Sequence, residues 1–480
     1  MLSTFVPVRK IKQKPVLEKV LIEDYAAEGK SLARVDGKVV FVEGAVPGDI
    51  VDIQLQKNKA DWAEGFAKYF HSYSAIRVKP FCSHFGVCGG CQWQMLPYEQ
   101  QLQYKHKQVV DNLTRIAKVP LPEIPAILGA SPTEGYRNKV EYTFATEKFI
   151  PFEEFKAMKA AGEFAKPSPG AGGFHARGFF EKVVEIDTCH LQVEPTNLMR
   201  KAVVNFAIEN KMPFYNIKQH QGWLRNMFVR NTTNGQWMVN LILGYEDVEK
   251  REALLNLLLQ QFPQITTLLY TINTKRNDSM QDLMPQVFFG KGYITEMLED
   301  FEFKISPKSF FQTNSKQAER LYQVTRDFAE LTGKEVVYDL YCGTGSIGIF
   351  CSKQAKKIVG VEFVADAIED AKENAQMNQL KDTAFFAGDV IDICSDAFFE
   401  THGKPDVIIT DPPRAGMHEK LVRKLLEMEA PTIVYVSCNP ATQARDLALL
   451  DEKYTVTKIQ PVDMFPHTLH IENVVQLKRK

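Results

Sequence analysis

The chain has 480 residues, 45% of them hydrophobic and 24% charged, with eight cysteines. That composition excludes a disordered, collagenous or coiled-coil chain, and at roughly 100–200 residues per domain the length implies two to four domains. The formal charge is −1 overall, but it sums to +5 over residues 1–320 and to −6 over 321–480, as a polyanion-binding front joined to a catalytic rear would. No run approaches the ~20 apolar residues of a membrane span. The first residues lack the apolar segment of a signal peptide. A soluble, cytoplasmic protein with no membrane partner is expected.

Residues 16–22, 31–35, 38–42 and 50–55 are rich in Val, Ile and Leu and read as short strands. Asp36-Gly37 between two of them is a hairpin signal, and 45–49 carries Pro and Gly where a turn needs them. Four or five strands in so short a stretch suggest a small barrel of the OB type. Residues 98–117 predict a helix with Leu102, Val109, Leu113 and Ile116 on one face and Lys105, Lys107 and Arg115 on the other. Between 135 and 300, strand-like runs (140–144, 237–243, 267–272) alternate with a helical one (251–261). The Pro- and Gly-dense stretch 166–173 reads as a surface loop. From about 305, helices and apolar strands alternate. Strands are expected at 336–341, 357–362, 383–387, 407–410 and 432–437, and helices at 317–331, 347–354 and 365–378. That is the pattern of a doubly wound α/β domain.

Gly343, Gly345 and Gly348 form G-x-G-x-x-G between a predicted strand and a predicted helix, with Glu362 at the end of the next strand. Such a loop can hold NAD through its pyrophosphate. S-adenosylmethionine (SAM) uses the same topology without a pyrophosphate. Asp339 would face its amino group, Glu362 its ribose and Asp389 its adenine. An acid at the end of three successive strands suits SAM better than NAD.

Two further strand ends carry chemistry. Asp411-Pro412-Pro413-Arg414 follows one apolar strand, and Ser437-Cys438-Asn439-Pro440 follows the next. In an open α/β sheet that edge is where ligands bind. Glu472 lies on the last strand-like run. A thiol, a carboxylate and a methyl donor together solve a problem of pyrimidine chemistry, because carbon 5 of uracil is a poor nucleophile. Thiolate addition at carbon 6 makes an enolate that can take a methyl group at carbon 5. A base then removes the carbon-5 proton and the thiolate leaves.

The strings DLYCGTG, GVE, GDV, DPPRAG, VYVSCNP and DMFPHTLHIE, with FKISPKSFFQTN upstream, closely resemble the RNA uracil-C5 methyltransferases, in particular the branch acting on 23S ribosomal RNA. VEGAVPGDIV resembles the small RNA-binding barrel called TRAM. CSHFGVCGGCQWQ and EGYRNKVEYTF match the family's central region. The resemblance implies Cys438 as nucleophile and Glu472 as proton acceptor. It implies Gln312, Tyr341, Ser346, Glu362, Asp389 and Asp411 as contacts to SAM or the target base. Position 346 is Ser where some relatives carry Asn. Residues 151–173 match nothing in the family pattern.

Cys82, Cys88 and Cys91 are clustered, and Cys189 supplies a distant fourth thiol. By spacing alone these could hold zinc or an iron–sulfur cluster. The resemblance implies a [4Fe–4S] cluster. Cys342, Cys351 and Cys394 read as small apolar core residues.

The expected architecture is multidomain α/β. A TRAM-like OB barrel spans 1–75, a central α+β domain with the cluster spans 76–304, and a Rossmann-like SAM methyltransferase domain spans 305–480. The expected activity is methylation of uridine in 23S rRNA by a monomer. Transfer RNA is the alternative substrate, disfavoured because the tRNA branch of the family is expected to lack the barrel. An NAD-binding iron–sulfur oxidoreductase is the alternative of another class, and it gives Cys438 and Glu472 no use.

Overall fold

The structure is a computed structural model that describes residues 14–163 and 168–480. The chain divides into two compact units, one of residues up to 81 plus 92–104, the other of 82–91 plus 105–480.

The first unit is built on a six-stranded sheet. Its strands are Val16–Leu21, Asp24–Tyr25, Ser31–Val35, Lys38–Glu43, Ile50–Asn58 and Trp62–Ser72. Asp36 and Gly37 both have positive φ (51° and 76°), the conformation that a type I′ hairpin turn requires. The turn at 45–49 is held by buried Asp49, which accepts from Val46 N–H at 2.7 Å and from the Arg77 guanidinium at 2.6 Å. Val40, Val42, Val51, Ile53 and Leu55 fill the interior. The sequence pattern misses Trp62–Ser72, the longest strand of the unit. It pairs antiparallel with Ile50–Asn58 and parallel with Lys38–Glu43. Three register shifts interrupt its pairing with Ile50–Asn58, and Trp62, Phe66 and Tyr69 face outward, so no clean alternation marks it.

Helix Tyr98–Asn112 runs into a π-helical turn at Leu113–Ala117. Its two faces are not those predicted. Lys105, expected in solvent, is completely buried and pairs with Asp463 at 2.6 Å, while Ile116 is 42% exposed. A buried charge partner overrides the apolar pattern here.

In the second unit, a central seven-stranded sheet has the order Gln286–Gly290, Thr267–Ile272, Trp237–Leu243, Leu224–Asn231, Lys139–Ala145, Ala171–Ala176, Phe179–Glu185. Helices Thr196–Glu209 and Val248–Gln261 bury Met199, Val203, Leu254 and Leu258 in its core. The expected loop at 166–173 is corrected in part. Residues 166–167 lie outside the described residues, but Ala171–Gly173 is strand. A Cβ on Gly173 would lie 2.0 Å from the Val184 carbonyl, so this glycine marks close strand approach and not a turn. Residues 152–160, which matched no pattern, form an exposed helix.

The C-terminal sheet has the order Thr383–Ala387, Lys357–Glu362, Val336–Leu340, Val407–Thr410, Thr432–Ser437, Glu472–Arg479, Tyr454–Val462. The first five strands are parallel and the last two antiparallel. Chain order reverses between Val336–Leu340 and Val407–Thr410, the switch point at whose carboxyl edge ligands bind in such sheets. The strand Tyr454–Val462 was not predicted. Cys342, Cys351 and Cys394 are buried, as their apolar reading requires.

Candidate active site

The glycine loop starts from Asp339, which is buried in strand Val336–Leu340. Asp339 Oδ2 accepts the Gly348 N–H at 2.8 Å, and a Cβ at Gly348 would meet that same oxygen at 2.9 Å. Only glycine fits there. Burial, with Asp411 and Glu362 nearby, raises the Asp339 carboxyl to about 7. Tyr341, Gly343 and Gly345 all take positive φ, folding the loop back toward the sheet edge. Glu362 accepts Gly343 N–H at 3.3 Å and Val364 N–H at 2.9 Å. One acid thus links two successive strand ends. Asp389 accepts Ile391 N–H at 2.8 Å and caps the short helix Val390–Ile393. Its charge still reaches Tyr341, whose hydroxyl is raised by burial and by Asp389 and Glu362.

Ser346 opens helix Ser346–Cys351, and its hydroxyl lies 3.0 Å from the Tyr322 hydroxyl. Tyr322 was not singled out from the sequence. It sits on helix Ser315–Ala329, whose apolar face gives no sign that one hydroxyl reaches the cofactor loop. Gln312 lies in the segment before that helix. Asn138 from the central sheet donates to the Gln312 carbonyl at 3.3 Å and to Ser315 Oγ at 2.8 Å. Arg230 donates to the carbonyls of Ser309 and Phe311 at 3.2 and 3.0 Å. The central sheet therefore positions the Gln312 segment, a role visible only in three dimensions.

Asp411, Cys438 and Glu472 come together at the ends of three adjacent strands. Strands Thr432–Ser437 and Glu472–Arg479 pair antiparallel, with Ser437 opposite Asn473. Cys438 and Glu472 are each one residue beyond that pair. Asn439 caps helix Pro440–Leu450 by accepting Ala441 N–H at 3.1 Å, and its amide donates to the Arg414 carbonyl at 3.0 Å. The Asp411–Arg414 turn and the Cys438 turn are thereby tied together. The Cys438 thiol is pushed up to about 12, first by burial and then by Glu472 and Asp411, with Arg414 opposing. Burial raises Asp411 to about 7. Glu472 rises well above the usual carboxylate range through burial and Asp411, again opposed by Arg414. A half-buried thiol and a buried carboxyl beside one guanidinium can add a nucleophile and then move a proton.

Of the four expected metal ligands, Cys82, Cys88 and Cys189 influence one another. Burial raises Cys88, with Cys82 adding to the shift. Burial raises Cys189 to about 11, with Cys88 and Cys82 contributing. The N–H groups of Gly90 and Leu191 donate to these two sulfurs, as backbone donors do around metal-bound thiolates. Such charge influence reaches further than a ligand shell, and among the described residues no three His, Cys, Asp or Glu side chains close into a metal-holding group. Chemically the donor set fits a cluster; a closed shell is not among the described arrangements.

Comparison with known proteins agrees with this geometry. The family described as tRNA (Uracil-5-)-methyltransferase matches residues 283–480, and the TRAM domain matches 18–67. An uncharacterized RNA methyltransferase of Bacteroides thetaiotaomicron is 50% identical over 94% of this chain and 99% of its own length. One from Porphyromonas gingivalis is 47% identical over 95% of this chain and 99% of its own. Among solved structures, the Pyrococcus abyssi tRNA (uracil-54, C5)-methyltransferase bound to S-adenosyl-L-homocysteine superposes with a TM-score of 0.73. It is 27% identical and covers 96% of this chain and 100% of that one. The matched share of this chain takes in most of its N-terminal barrel. The chain belongs to the TRAM-containing RNA uracil-5-methyltransferase family and is a SAM-dependent RNA methyltransferase.

Proposed function

We propose that the protein methylates carbon 5 of uridine in 23S ribosomal RNA through a covalent adduct between Cys438 and carbon 6. The observation that carries this reading is the placement of Cys438 and Glu472 one residue beyond the Ser437–Asn473 pair, beside Asp411 and Arg414. SAM, when bound, supplies the electrophilic methyl group. Asp339, Tyr341, Ser346, Glu362 and Asp389 would hold it along the strand ends, with Gln312 closing the site. Cys438 gives up its proton to solvent, adds to carbon 6 as the thiolate and makes carbon 5 nucleophilic. Glu472 accepts the carbon-5 proton, the thiolate is expelled and the aromatic ring returns. Arg414 favours the charged forms of both groups.

The proposed domain organisation keeps 1–75 as the RNA-binding barrel, 76–304 as the cysteine-bearing central domain and 305–480 as the catalytic domain of a cytoplasmic monomer. Cys82, Cys88, Cys91 and Cys189 would hold a [4Fe–4S] cluster that cross-links two segments about 100 residues apart. Four cysteinyl ligands leave no open iron position, so its role is structural.

Transfer RNA is the second reading, favoured by the full-length likeness to the P. abyssi tRNA enzyme. Methylation assays on unmodified 23S rRNA and on unmodified tRNA, followed by nucleoside mass spectrometry, decide between them. 5-Methyluridine appearing only in tRNA overturns the ribosomal assignment. The oxidoreductase reading finds no support in the methyltransferase family and the relatives named above.

A further inference from the structure

The segment 463–471 joins the last two strands of the catalytic sheet. Val462 pairs with Glu472 in that ladder, so the two feet of the segment are Asp463 and Ile471, flanking the rung that carries the proposed base. Most of the segment is irregular backbone, and His467 within it has φ 65°. An irregular turn needs outside partners to hold one conformation.

Those partners come from four separate places in the sequence. Lys105 Nζ donates to Asp463 Oδ1 at 2.6 Å and to the Phe465 carbonyl at 3.2 Å. Tyr136 OH donates to the Pro466 carbonyl at 2.9 Å. Asn314 Nδ2 donates to the Met464 carbonyl at 2.8 Å. Asp463 N–H also bonds the Leu128 carbonyl at 2.9 Å. Lys105 and Asp463 are both fully buried. A buried ion pair is weak evidence for net stability, since apolar groups of the same volume often serve as well; its best-attested use is to fix one arrangement against others. Tyr136 is itself held on both sides, by Gly135 N–H to the His190 carbonyl and Arg137 N–H to the Leu191 carbonyl, at 2.9 and 2.8 Å.

We infer that Lys105 and Tyr136 are positioning residues for Glu472: they clamp segment 463–471 so that the carboxyl stands at carbon 5 once the adduct has formed. Neither side chain touches a reacting atom. The clamp also gives the Cys189 segment a route to the catalytic base through Tyr136. This inference rests on the proposed role of Glu472, and the experiment separates the two.

A small loss of alignment at a reacting centre can cost on the order of a hundredfold in rate. The step affected is proton removal, so the signature is trapped covalent RNA–protein adduct. Wild type, Glu472→Gln, the double variant Lys105→Met/Asp463→Leu and Tyr136→Phe are each mixed with RNA substrate and SAM and run on denaturing gels. The double variant removes both charges together and leaves neither one buried alone. Expected are adduct in Glu472→Gln, adduct in the double variant with turnover at least about tenfold down, and a weaker adduct band in Tyr136→Phe. SAM affinity stays within about twofold of wild type in all three, because none of the substituted residues is among those proposed to hold SAM. If Glu472→Gln traps adduct but both clamp variants turn over normally without it, the inference is wrong. Should the double variant fail to fold, Tyr136→Phe decides alone, and wild-type turnover there overturns the clamp. If Glu472→Gln itself traps nothing, the base assignment fails instead.

Discussion

Cys438 and Glu472 occupy adjacent strand ends, each one step past the Ser437–Asn473 pair, and the carboxyl raises the proton affinity of the thiol. Burial and Asp411 push both groups the same way, so their charged forms are disfavoured. Arg414 opposes the shift in both, favouring the thiolate and carboxylate that addition and proton removal require.

Cys438→Ala removes the proposed carbon-6 nucleophile and nothing from the glycine loop. Turnover should fall below detection, while SAM binding by calorimetry stays within about twofold, since Cys438 is not among the residues proposed to hold SAM. Methylation continuing above a trace would exclude Cys438 as the nucleophile.

Much of this site was legible because strand ends are legible. Apolar runs such as 407–410 and 432–437 announce buried parallel strands, and the residue after each must lie at the ligand edge. Cys438, Asp411 and Glu362 follow from that rule. Asp389 follows too, although the structure also uses it to cap a helix. What stayed hidden depends on long-range partners. Lys105 looked like a solvated helix charge because nothing nearby reveals an aspartate 358 positions away. Tyr322 looked like core because its ring is core, and only the hydroxyl reaches Ser346. Strand Trp62–Ser72 was missed because its bulges break the two-residue period. Gly173 was read as a turn former when its lack of a side chain serves strand packing.

Asp339 and Asp411 predict a pH dependence. Burial raises both to about 7, against about 3.9 in an unfolded chain. Between those values the folded state holds protons that the unfolded state has lost, so stability falls as pH rises. The contribution is fully present below about pH 4 and gone above about pH 7, with a slope of up to about 1.4 kcal/mol per pH unit per carboxyl. A cationic ligand reverses the preference, so SAM should bind more tightly as pH rises from 5.5 to 7.5, releasing protons. Melting curves with and without SAM across that range test it. Asp411→Asn should flatten the ligand-free slope, and an unchanged slope would show that Asp411 does not titrate there.

Cys88→Ser tests the cluster. Anaerobically purified wild type should carry about four irons and absorb in the visible, and the variant should lose both. RNA affinity and solubility should fall further than SAM affinity, because the proposed cluster would brace the central domain and not the glycine loop. Stoichiometric zinc in the wild type would exclude the iron–sulfur assignment and leave the bracing role intact.

The last prediction concerns the outward face of the barrel. Trp62, Phe66 and Tyr69 are exposed on one strand, and the Phe41 ring lies 6.4 Å from that of Trp62. Glu64 lies on the same strand, but Lys30 and Lys57 bind its carboxylate at 2.7 and 2.9 Å. Glu64 is thus neutralised by two cations, and Lys68 adds another positive charge. Exposed rings among net positive charge suit unpaired bases, which stack for about 1–3 kcal/mol each. Trp62→Ala should weaken RNA binding about tenfold, the middle of that range. Turnover at saturating RNA should be unchanged, because no catalytic group lies in this unit. Fluorescence anisotropy with a labelled substrate fragment reads the first quantity, and methyl incorporation reads the second. Substituting Glu64→Gln should leave affinity level or raise it slightly, since removing a neutralised acid frees two lysines for phosphate. RNA affinity that ignores Trp62 would show that the barrel engages its partner through another face.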